Sequence, residues 1–373
     1  MGDRCNGLFD CLDQTDENDC DKVIIDKDFY QQEIPPFKHG STVKIDVSIF
    51  LLSVYKVELP TTFGVKIKLV LYWHDYRLTF TNLQRTGNII EMEDRERMWT
   101  PPLRFSNTQR GILMNDEEAR MSVVRQGEYK LSTIKEVHEA RIFKGEENLL
   151  RYSREYKMEF ECNYNLAFYP FDSQICSVNV DIPDFFNAYM DIIPKETGNE
   201  GTSKLDQFSI QKVELESLKN QTEVKCMIYL KRIPWFHLTT TYLPTLCIFT
   251  IVLVTISIDQ SHFEVTIMVA LTAMLVMYTL FQSISGSMPS TAYLKLLDYW
   301  LFFCLVLPFV VFVILVFWEL MLQREMCKVK PAMEPYEDSK VPLNWCKWFL
   351  PLFTLTFVFV YFIVVLVVQL IQI

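Results

Sequence analysis

The stretch Cys162-Asn-Tyr-Asn-Leu-Ala-Phe-Tyr-Pro-Phe-Asp-Ser-Gln-Ile-Cys176 places thirteen residues between two cysteines, around a centre rich in aromatic residues. Exposed loops usually carry polar residues, whereas the middle of this one, Phe168-Tyr-Pro-Phe171, is apolar. The loop therefore either folds back into a protein core or rests on a surface that is not water. The rest of the chain helps to decide between these two interpretations.

Four long apolar blocks follow this loop, and each is long enough to cross a hydrocarbon core as a helix. The blocks cover residues of about 236–258, 263–286, 293–322 and 345–372. Buried helices of a large soluble enzyme are the alternative, but three of the blocks are nearly free of charges and rich in aromatic residues. The sequence therefore predicts a four-helix transmembrane bundle in residues 234–373.

The region ahead of these blocks, residues 23–233, shows short runs in which apolar and polar residues alternate. Val65, Ile67 and Leu69, for example, alternate with Lys66 and Lys68, which is the period of a half-buried strand. Clusters of proline, glycine and asparagine separate the runs, and no long amphipathic helix competes with them. This spacing predicts an all-β, immunoglobulin-like antiparallel sandwich.

Cysteine usage and charge place this sandwich outside the cell. Paired-looking cysteines indicate an oxidising compartment, so four spans would return the C-terminus to the outside as well. The segment of about 323–344 would then be cytoplasmic, and its lysines and arginine fit the excess of positive charge on that side. We expect a multi-pass plasma-membrane protein with extracellular N- and C-termini.

Two classes of function are not expected. The net charge of −10 is accompanied by no basic stripe, so nucleic acid is not an expected partner. No nucleophile–base pair, metal cluster or phosphate-binding loop stands out, so we do not expect an enzyme.

Residues 1–22 form a short acidic segment with three cysteines. Acidic side chains between cysteines can offer hard oxygen ligands to Ca²⁺, and a disulfide would supply rigidity. The segment resembles the second half of an LDL-receptor class A module, and this resemblance implies a Cys5–Cys20 disulfide. Only three of the module's six cysteines are present, so Cys11 lacks its usual partner, and Cys226 either pairs with it or stays free. The alternative to a structural calcium site is a disulfide-pinned acidic cap; the calcium ligands implied by the resemblance are Asp10, Asp16 and Glu17.

The order of several short motifs resembles that of the Cys-loop pentameric ligand-gated ion channels, and the resemblance covers the chain from about residue 40 to its end. One of these motifs is the aromatic centre of the loop between Cys162 and Cys176, hereafter the stapled loop. The others are Trp73-His-Asp75, Met98-Trp99-Thr-Pro101, Arg232-Ile-Pro234 at the entrance to the first span, and Pro244 within it. The resemblance implies a pentameric ring in which four further subunits complete a homo- or heteropentamer. It also implies contact with membrane lipid, permeant ions and a small-molecule ligand whose identity is unknown.

In this family the stapled loop lies at the bottom of the extracellular domain, against the membrane helices. The resemblance implies a Cys162–Cys176 disulfide and a partly buried charge pair between Asp172 and Arg232, which is costly to break and so transmits movement. The residues expected to couple the sandwich to the pore are Glu58, Phe171, Asp172, Arg232, Pro289 and Tyr293.

The second span carries a stripe that is more polar than its flanks, and its members follow steps of four, four, three, four and four along one helical face. These residues are expected to line the pore: Glu264, Met268, Thr272, Leu275, Thr279 and Ser283. Leu275 aligns with the family's mid-pore leucine, so a ring of five is the expected gate, closing by dewetting. Glu264 would form an acidic selectivity ring at the cytoplasmic mouth, which predicts a preference for cations. Because Tyr293-Leu-Lys295 with Asp298 is closer to the anion-selective branch, an anion channel is the alternative.

The neurotransmitter site of the family is expected to be degenerate in this chain. Members that bind amines trap the ammonium in an aromatic box, but the corresponding positions here include Lys68, Phe105 and Phe185. Lys68 would repel an amine. The capping loop is reduced to hairpin length, and the sequon at Asn220 predicts a glycan at its tip. The sequence therefore predicts an unknown agonist, or alternatively a non-conducting pseudo-receptor or surface scaffold on the same fold.

Overall fold

The computed structural model divides the chain into two compact units, one of Met1–Asn163, Ile175–Leu205 and Ile210–Leu230, the other of Tyr164–Gln174, Asp206–Ser209 and Lys231–Ile373. The structure describes residue 12 and residues 22–26, 28–38, 40–113, 119–135, 138–218, 222–256, 258, 263–288, 290–326 and 341–371.

The first unit is built almost entirely of strands. In chain order they are β1 (Val23–Ile24), β2 (Val43–Glu58), β3 (Thr62–Trp73), β4 (Thr79–Thr81), β5 (Arg104–Phe105), β6 (Thr108–Leu113), β7 (Arg120–Val124), β8 (Lys130–Lys135), β9 (His138–Lys144), β10 (Leu149–Glu161), β11 (Ser173–Asp181), β12 (Met190–Asn199), β13 (Phe208–Leu218) and β14 (Glu223–Arg232). Among the described residues, two short helical pieces interrupt them, α1 (Met92–Arg97) and a 3₁₀ turn at Asp184–Phe186. The ends of β11, β13 and β14 at 173–174, 208–209 and 231–232 belong to the second unit.

Of the three sheets found in the described part of the chain, two face each other. One has the order β12-β2-β3-β10-β6, with β7 also pairing with β10, and the other has the order β13-β14-β11-β5. The ring of Phe105 on β5 lies 5.1 Å from that of Tyr156 and 5.7 Å from that of Phe160, both on β10. Thr197 on β12 and Cys226 on β14 also approach each other, with Oγ1 and Sγ 4.0 Å apart. These contacts between the two sheets confirm the predicted sandwich.

The core follows the alternation seen in the sequence. Ile45, Val47, Ile49 and Leu51 of β2 are all fully buried, as expected when every second residue of a strand points to the same side. One pairing differs from the antiparallel prediction, because β12 runs parallel to β2. A parallel neighbour needs a crossover, and the chain between β11 and β12 makes one when it leaves the four-stranded sheet for the six-stranded one.

The second unit contains the long helices. They are α2 (Trp235–His237), a π turn (Leu238–Tyr242), α3 (Leu243–Thr255), α4 (Phe263–Gly286), α5 (Leu296–Met326) and α6 (Val341–Ile371). Among the described residues, four segments have the length and composition of membrane spans, namely Trp235–Thr255, Phe263–Gly286, Leu296–Met321 and Trp348–Ile371.

Two details of these helices have local causes. The π turn ends two residues before Pro244, whose missing N–H and ring disfavour regular helical bonding to the preceding turn. The third span begins at Leu296, three residues later than expected, because Asp298 Oδ2 accepts the backbone N–H of Lys295 at 2.9 Å and so caps α5.

A buried aromatic cluster joins the first, third and fourth spans. Trp300 of α5 is fully buried, and its Nε1 donates to Thr245 Oγ1 at 3.1 Å. The hydroxyls of Tyr242 and Tyr361 lie 2.6 Å apart beside it. These bonds satisfy polar groups that would be costly to leave unpaired in an apolar interior, so they set the registry of three helices.

Candidate functional site

The stapled loop is closed by a disulfide between Cys162 and Cys176, which confirms the predicted pairing. Its centre, Tyr164–Gln174, belongs to the same compact unit as the membrane helices. Tyr169 and Phe171 are buried, whereas Phe168 is 39% exposed. Tyr169, Pro170 and Phe171 therefore pack on protein, whereas Phe168 remains exposed.

The loop contacts the first span through aromatic side chains. Tyr169 Oη lies 2.8 Å from His237 Nε2, and the two rings are 5.0 Å apart. Phe171 packs on Tyr242 with ring centroids 6.0 Å apart. Burial raises the pKa of Tyr169, with Arg232 opposing the shift, so this phenol stays neutral and able to hydrogen-bond over the physiological range.

The same loop contacts the segment that leads into the third span. The backbone N–H of Leu166 donates to Tyr293 Oη at 2.9 Å, and that of Leu296 donates to the Ala167 carbonyl at 2.7 Å. Tyr293 was predicted to take part in coupling, and the structure brings it to the loop. Its role in gating stays a prediction.

Asp172, within the loop, forms a bidentate pair with Arg232, at the end of β14. Nε of Arg232 lies 2.7 Å from Oδ1 of Asp172, and Nη2 lies 3.2 Å from Oδ2. Asp172 is 1% exposed and Arg232 is 4% exposed, and the guanidinium lies over the rings of Tyr169 and Phe208 at 4.6 and 4.3 Å. A charge-assisted pair in such a dry environment is short and directional, and the loss of one partner leaves an uncompensated charge.

Glu58, the other predicted coupling acid, lies at the end of β2 in the first unit. Nζ of Lys56 is 2.9 Å from a Glu58 carboxylate oxygen and 3.2 Å from one of Glu159. The Glu58 side chain is 62% exposed. It therefore belongs to a solvated surface cluster, which is weak on its own.

The face of α4 that was predicted to line a pore is exposed along its length. The residues on this face are Glu264, Met268, Thr272, Leu275, Thr279 and Ser283. The buried residues of α4, namely Thr266, Ala270, Ala273 and Met277, lie on the opposite side at 100° per residue. Thr272 and Thr279 donate their hydroxyl protons to carbonyls of their own helix, at 2.9 and 2.8 Å. Their oxygens thus remain as acceptors on a face that packing within one chain leaves open.

The positions of the degenerate ligand site lie on three different elements. Lys68 on β3 has its Nζ 3.3 Å from Glu200 Oε2, and Phe105 on β5 packs inside the sandwich. Phe185, in the 3₁₀ turn, is 81% exposed. An ion cluster that the sequence analysis missed lies beside this turn, where Arg104 Nε is 2.7 Å from Asp181 Oδ2 and its Nη2 is 3.8 Å from Asp184 Oδ1. The two acids in Asp181-Ile-Pro-Asp184 were the only sequence signal for it.

Several predicted residues fall outside the described part of the chain: Cys5, Cys20, Asp10, Asp16 and Glu17 of the N-terminal segment, Asn220 and Pro289. Within the described ranges, no group of three or more His, Cys, Asp or Glu side chains could hold a metal ion. Cys226 is a free, buried thiol, and burial raises its pKa to about 12.

Comparison with known proteins agrees with this architecture. The sequence profile of the neurotransmitter-gated ion-channel ligand binding domain matches residues 20–240. Similar proteins include a glutamate-gated chloride channel of Drosophila melanogaster, 24% identical over 275 residues that cover 71% of this chain and 56% of the relative. A gamma-aminobutyric acid receptor subunit beta of Lymnaea stagnalis is 23% identical over 301 residues, 75% of this chain and 56% of the relative. The subunit rho-2 of Bos taurus is 23% identical over 302 residues, 77% and 59% of the two chains.

The chain therefore belongs to the neurotransmitter-gated ion-channel family, the Cys-loop receptors. It is a multi-pass membrane protein with an extracellular N-terminal β-sandwich, and its family consists of ion channels rather than enzymes. The chain spans between 56% and 59% of the length of the three relatives named.

Proposed function

We propose that this chain is a subunit of a pentameric ligand-gated ion channel whose pore is lined by α4. The observation that best supports this proposal is that α4 has two distinct faces. One face is buried against the chain's own helices, and the opposite one is exposed and carries two threonines, a serine and Leu275. In a ring of five subunits, a helix packed in this way would present its free face to the axis.

We place the gate at Leu275, which is 62% exposed in the single chain. Five leucines at one level of a pore form a hydrophobic constriction that excludes water and therefore ions. The threonine oxygens one turn away on either side would stabilise water and ions once the ring widens.

We propose that the pore conducts anions. Cation selectivity, expected from Glu264, finds no support among the relatives, one of which is named a chloride channel. Glu264 lies in the first turn of α4, where the positive end of the helix dipole offsets part of a negative charge. Five helix N-termini at the same mouth would weaken the acidic ring on which the cation prediction depended.

A non-conducting receptor-like scaffold is the second candidate. The ion cluster of Arg104, Asp181 and Asp184 favours it, because Asp184 directly precedes Phe185, one of the positions that correspond to the family's ligand-binding aromatic box. A site whose charges are already paired offers less to a ligand. The two candidates differ in whether current flows along α4.

The test is Leu275→Thr, expressed in a voltage-clamped cell, with leak current and reversal potential measured under chloride and sodium substitution. A polar ring at this level should keep the gate wet without any agonist, so we expect a leak that follows chloride. Leu280→Thr is the matched control, because Leu280 lies on the same helix about 140° away from Leu275 and should give no leak.

Each outcome separates the candidates. A leak that follows sodium would retain the channel and overturn anion selectivity. Surface pentamers without leak would overturn the channel and favour the scaffold. Equal leaks from Leu275→Thr and Leu280→Thr would overturn the assignment of the pore-lining face.

A further inference from the structure

Gln174 is a buried polar residue in the second arm of the stapled loop, between the aromatic centre and Cys176. Its position was not among the predicted site residues. It is 3% exposed and lies two residues after Asp172. In β11 the buried positions alternate through Gln174, Cys176 and Val178, so a glutamine here occupies a core position of the strand. A polar side chain at a core position needs hydrogen-bond partners, and this one has three.

The side-chain amide of Gln174 bonds to both arms of the loop. Its Oε1 accepts the backbone N–H of Asn165 at 2.9 Å, and its Nε2 donates to the Asn165 carbonyl at 2.8 Å. The second proton of Nε2 is donated to Oδ2 of Asp172. Both donors of the amide are thus used, and the side chain replaces a rung of backbone pairing between two segments that are not strand partners.

We infer that Gln174 is a positioning residue that links the buried Asp172–Arg232 pair to the contact between the stapled loop and the start of α5. This inference rests on the proposed channel function, because it names a route by which the gate is reached.

The link is continuous in one compact unit. Arg232, at the end of β14, donates to the Asp172 carboxylate, which also accepts a hydrogen bond from Gln174. The Gln174 side chain is in turn hydrogen-bonded to the backbone of Asn165. Asn165 Oδ1 in turn accepts the N–H of Ala167 at 3.1 Å, and the Ala167 carbonyl accepts the N–H of Leu296. A displacement at the end of β14 can therefore reach the start of α5 along a continuous series of hydrogen bonds. The bonds that Asp172 makes with Arg232 and Gln174 are buried, those of Gln174 with Asn165 are partly buried, and the bond between Asn165 and Ala167 is exposed.

Only an amide can make this set of bonds at this position. A carboxylate keeps an acceptor for Asn165 but loses both donors and faces the Asp172 charge. Methionine keeps the length and loses all three bonds. The two substitutions therefore remove the link in different ways while leaving Asp172 and Arg232 in the chain.

The experiment uses the full chain in the Leu275→Thr background, which needs no agonist. Leak current per surface subunit is measured for Gln174→Met, for Tyr293→Phe, which removes the hydroxyl that accepts from Leu166, and for the double variant. We expect Gln174→Met to change the leak by about threefold or more. The double variant should change it no more than the larger single variant, because both interrupt one route. Gln207→Met is the matched control, since Gln207 is an exposed glutamine of the same unit, and it should leave the leak unchanged.

The variant Gln174→Glu distinguishes a positioning role in gating from a purely structural role. Besides Asp172, the charged group next to the new carboxyl is Arg232, because its Nη2 and the Gln174 amide meet the same Asp172 oxygen. Tyr164 and Tyr169 interact with that guanidinium, and His237 contacts Tyr169. Protonation would return one donor toward Asp172, so the leak of this variant should move toward the parent value when the external pH is lowered to about 5.5. The parent is measured at the same pH to correct for other titrating groups.

Independent, multiplying effects of Gln174→Met and Tyr293→Phe would overturn the inference, as would an unchanged leak in Gln174→Met. A parent Leu275→Thr channel that reaches the surface and does not leak would instead overturn the proposed function. The two failures are therefore distinguishable in one set of recordings.

Discussion

Asp172 and Glu58 are both acids assigned to coupling, yet they lie in very different surroundings. Asp172 is 1% exposed and holds Arg232 through two hydrogen bonds, and the guanidinium lies over the rings of Tyr169 and Phe208. The Glu58 side chain is 62% exposed, and its partner Lys56 is shared with Glu159. One acid belongs to a dry, directional network, and the other to a solvated cluster that can rearrange.

This difference determines how much each pair resists movement. Removal of one member of a buried ion pair costs about 3–5 kcal/mol, because the remaining charge stays desolvated without a partner. An exposed pair contributes little, since water and salt replace it. The loop around Asp172 should therefore behave as a rigid connection, whereas the cluster around Glu58 should act only when a further partner approaches it.

The largest expected effect comes from Asp172→Asn. The substituted side chain keeps the shape but leaves the guanidinium of Arg232 buried without a counter-charge, which should destabilise the unit by about 3–5 kcal/mol. We expect a severe loss of assembled protein at the cell surface, measured by surface biotinylation and native gels. Addition of Arg232→Gln should restore part of the surface assembly. An effect of Asp172→Asn no larger than that of Glu58→Gln would show that the two acids do not differ in this way.

The second-largest effect is expected from loss of the Cys162–Cys176 disulfide, which closes the loop that contains Asp172. Loss of a disulfide that closes a loop of this length costs about 3 kcal/mol, so Cys162→Ser should abolish surface assembly. Cys247→Ser is the control. Because Cys247 is a free and exposed cysteine, this variant should assemble normally. Normal surface pentamers from Cys162→Ser would show that buried contacts hold the loop without the disulfide.

The smallest effect is expected from Glu58→Gln. Because this carboxylate is solvated and shares its lysine, surface assembly should change by less than about twofold, and less still at high salt. The same surface assay and a salt series measure this. A loss as large as that of Asp172→Asn would mean that Glu58 gains a buried partner in the assembled protein.

Much of the architecture follows from local patterns in the sequence. The alternation of β2 and β3, the length of the apolar blocks and the exposed stripe of α4 all depend on residues within a few positions of each other. Spacing and composition are therefore sufficient to predict a sandwich, four spans and a distinct face on the second span. The parallel pairing of β12 and the late start of α5 were not predicted, because a crossover between sheets and a side-chain cap determine them.

The sequence by itself determined which elements form and which loop is stapled, since those depend on local period, hydrophobicity and motif order. The tertiary structure alone decided that Glu58 is exposed while Asp172 is almost fully buried, and that the Gln174 side chain hydrogen-bonds both Asn165 and Asp172 within the loop. The hydrogen bonds at this site join Asp172 to Arg232, which are 60 positions apart in the sequence, and Leu166 to Tyr293, which are 127 positions apart. Such partners meet only when the chain is folded, because desolvation and hydrogen-bond geometry depend on which distant segments pack together.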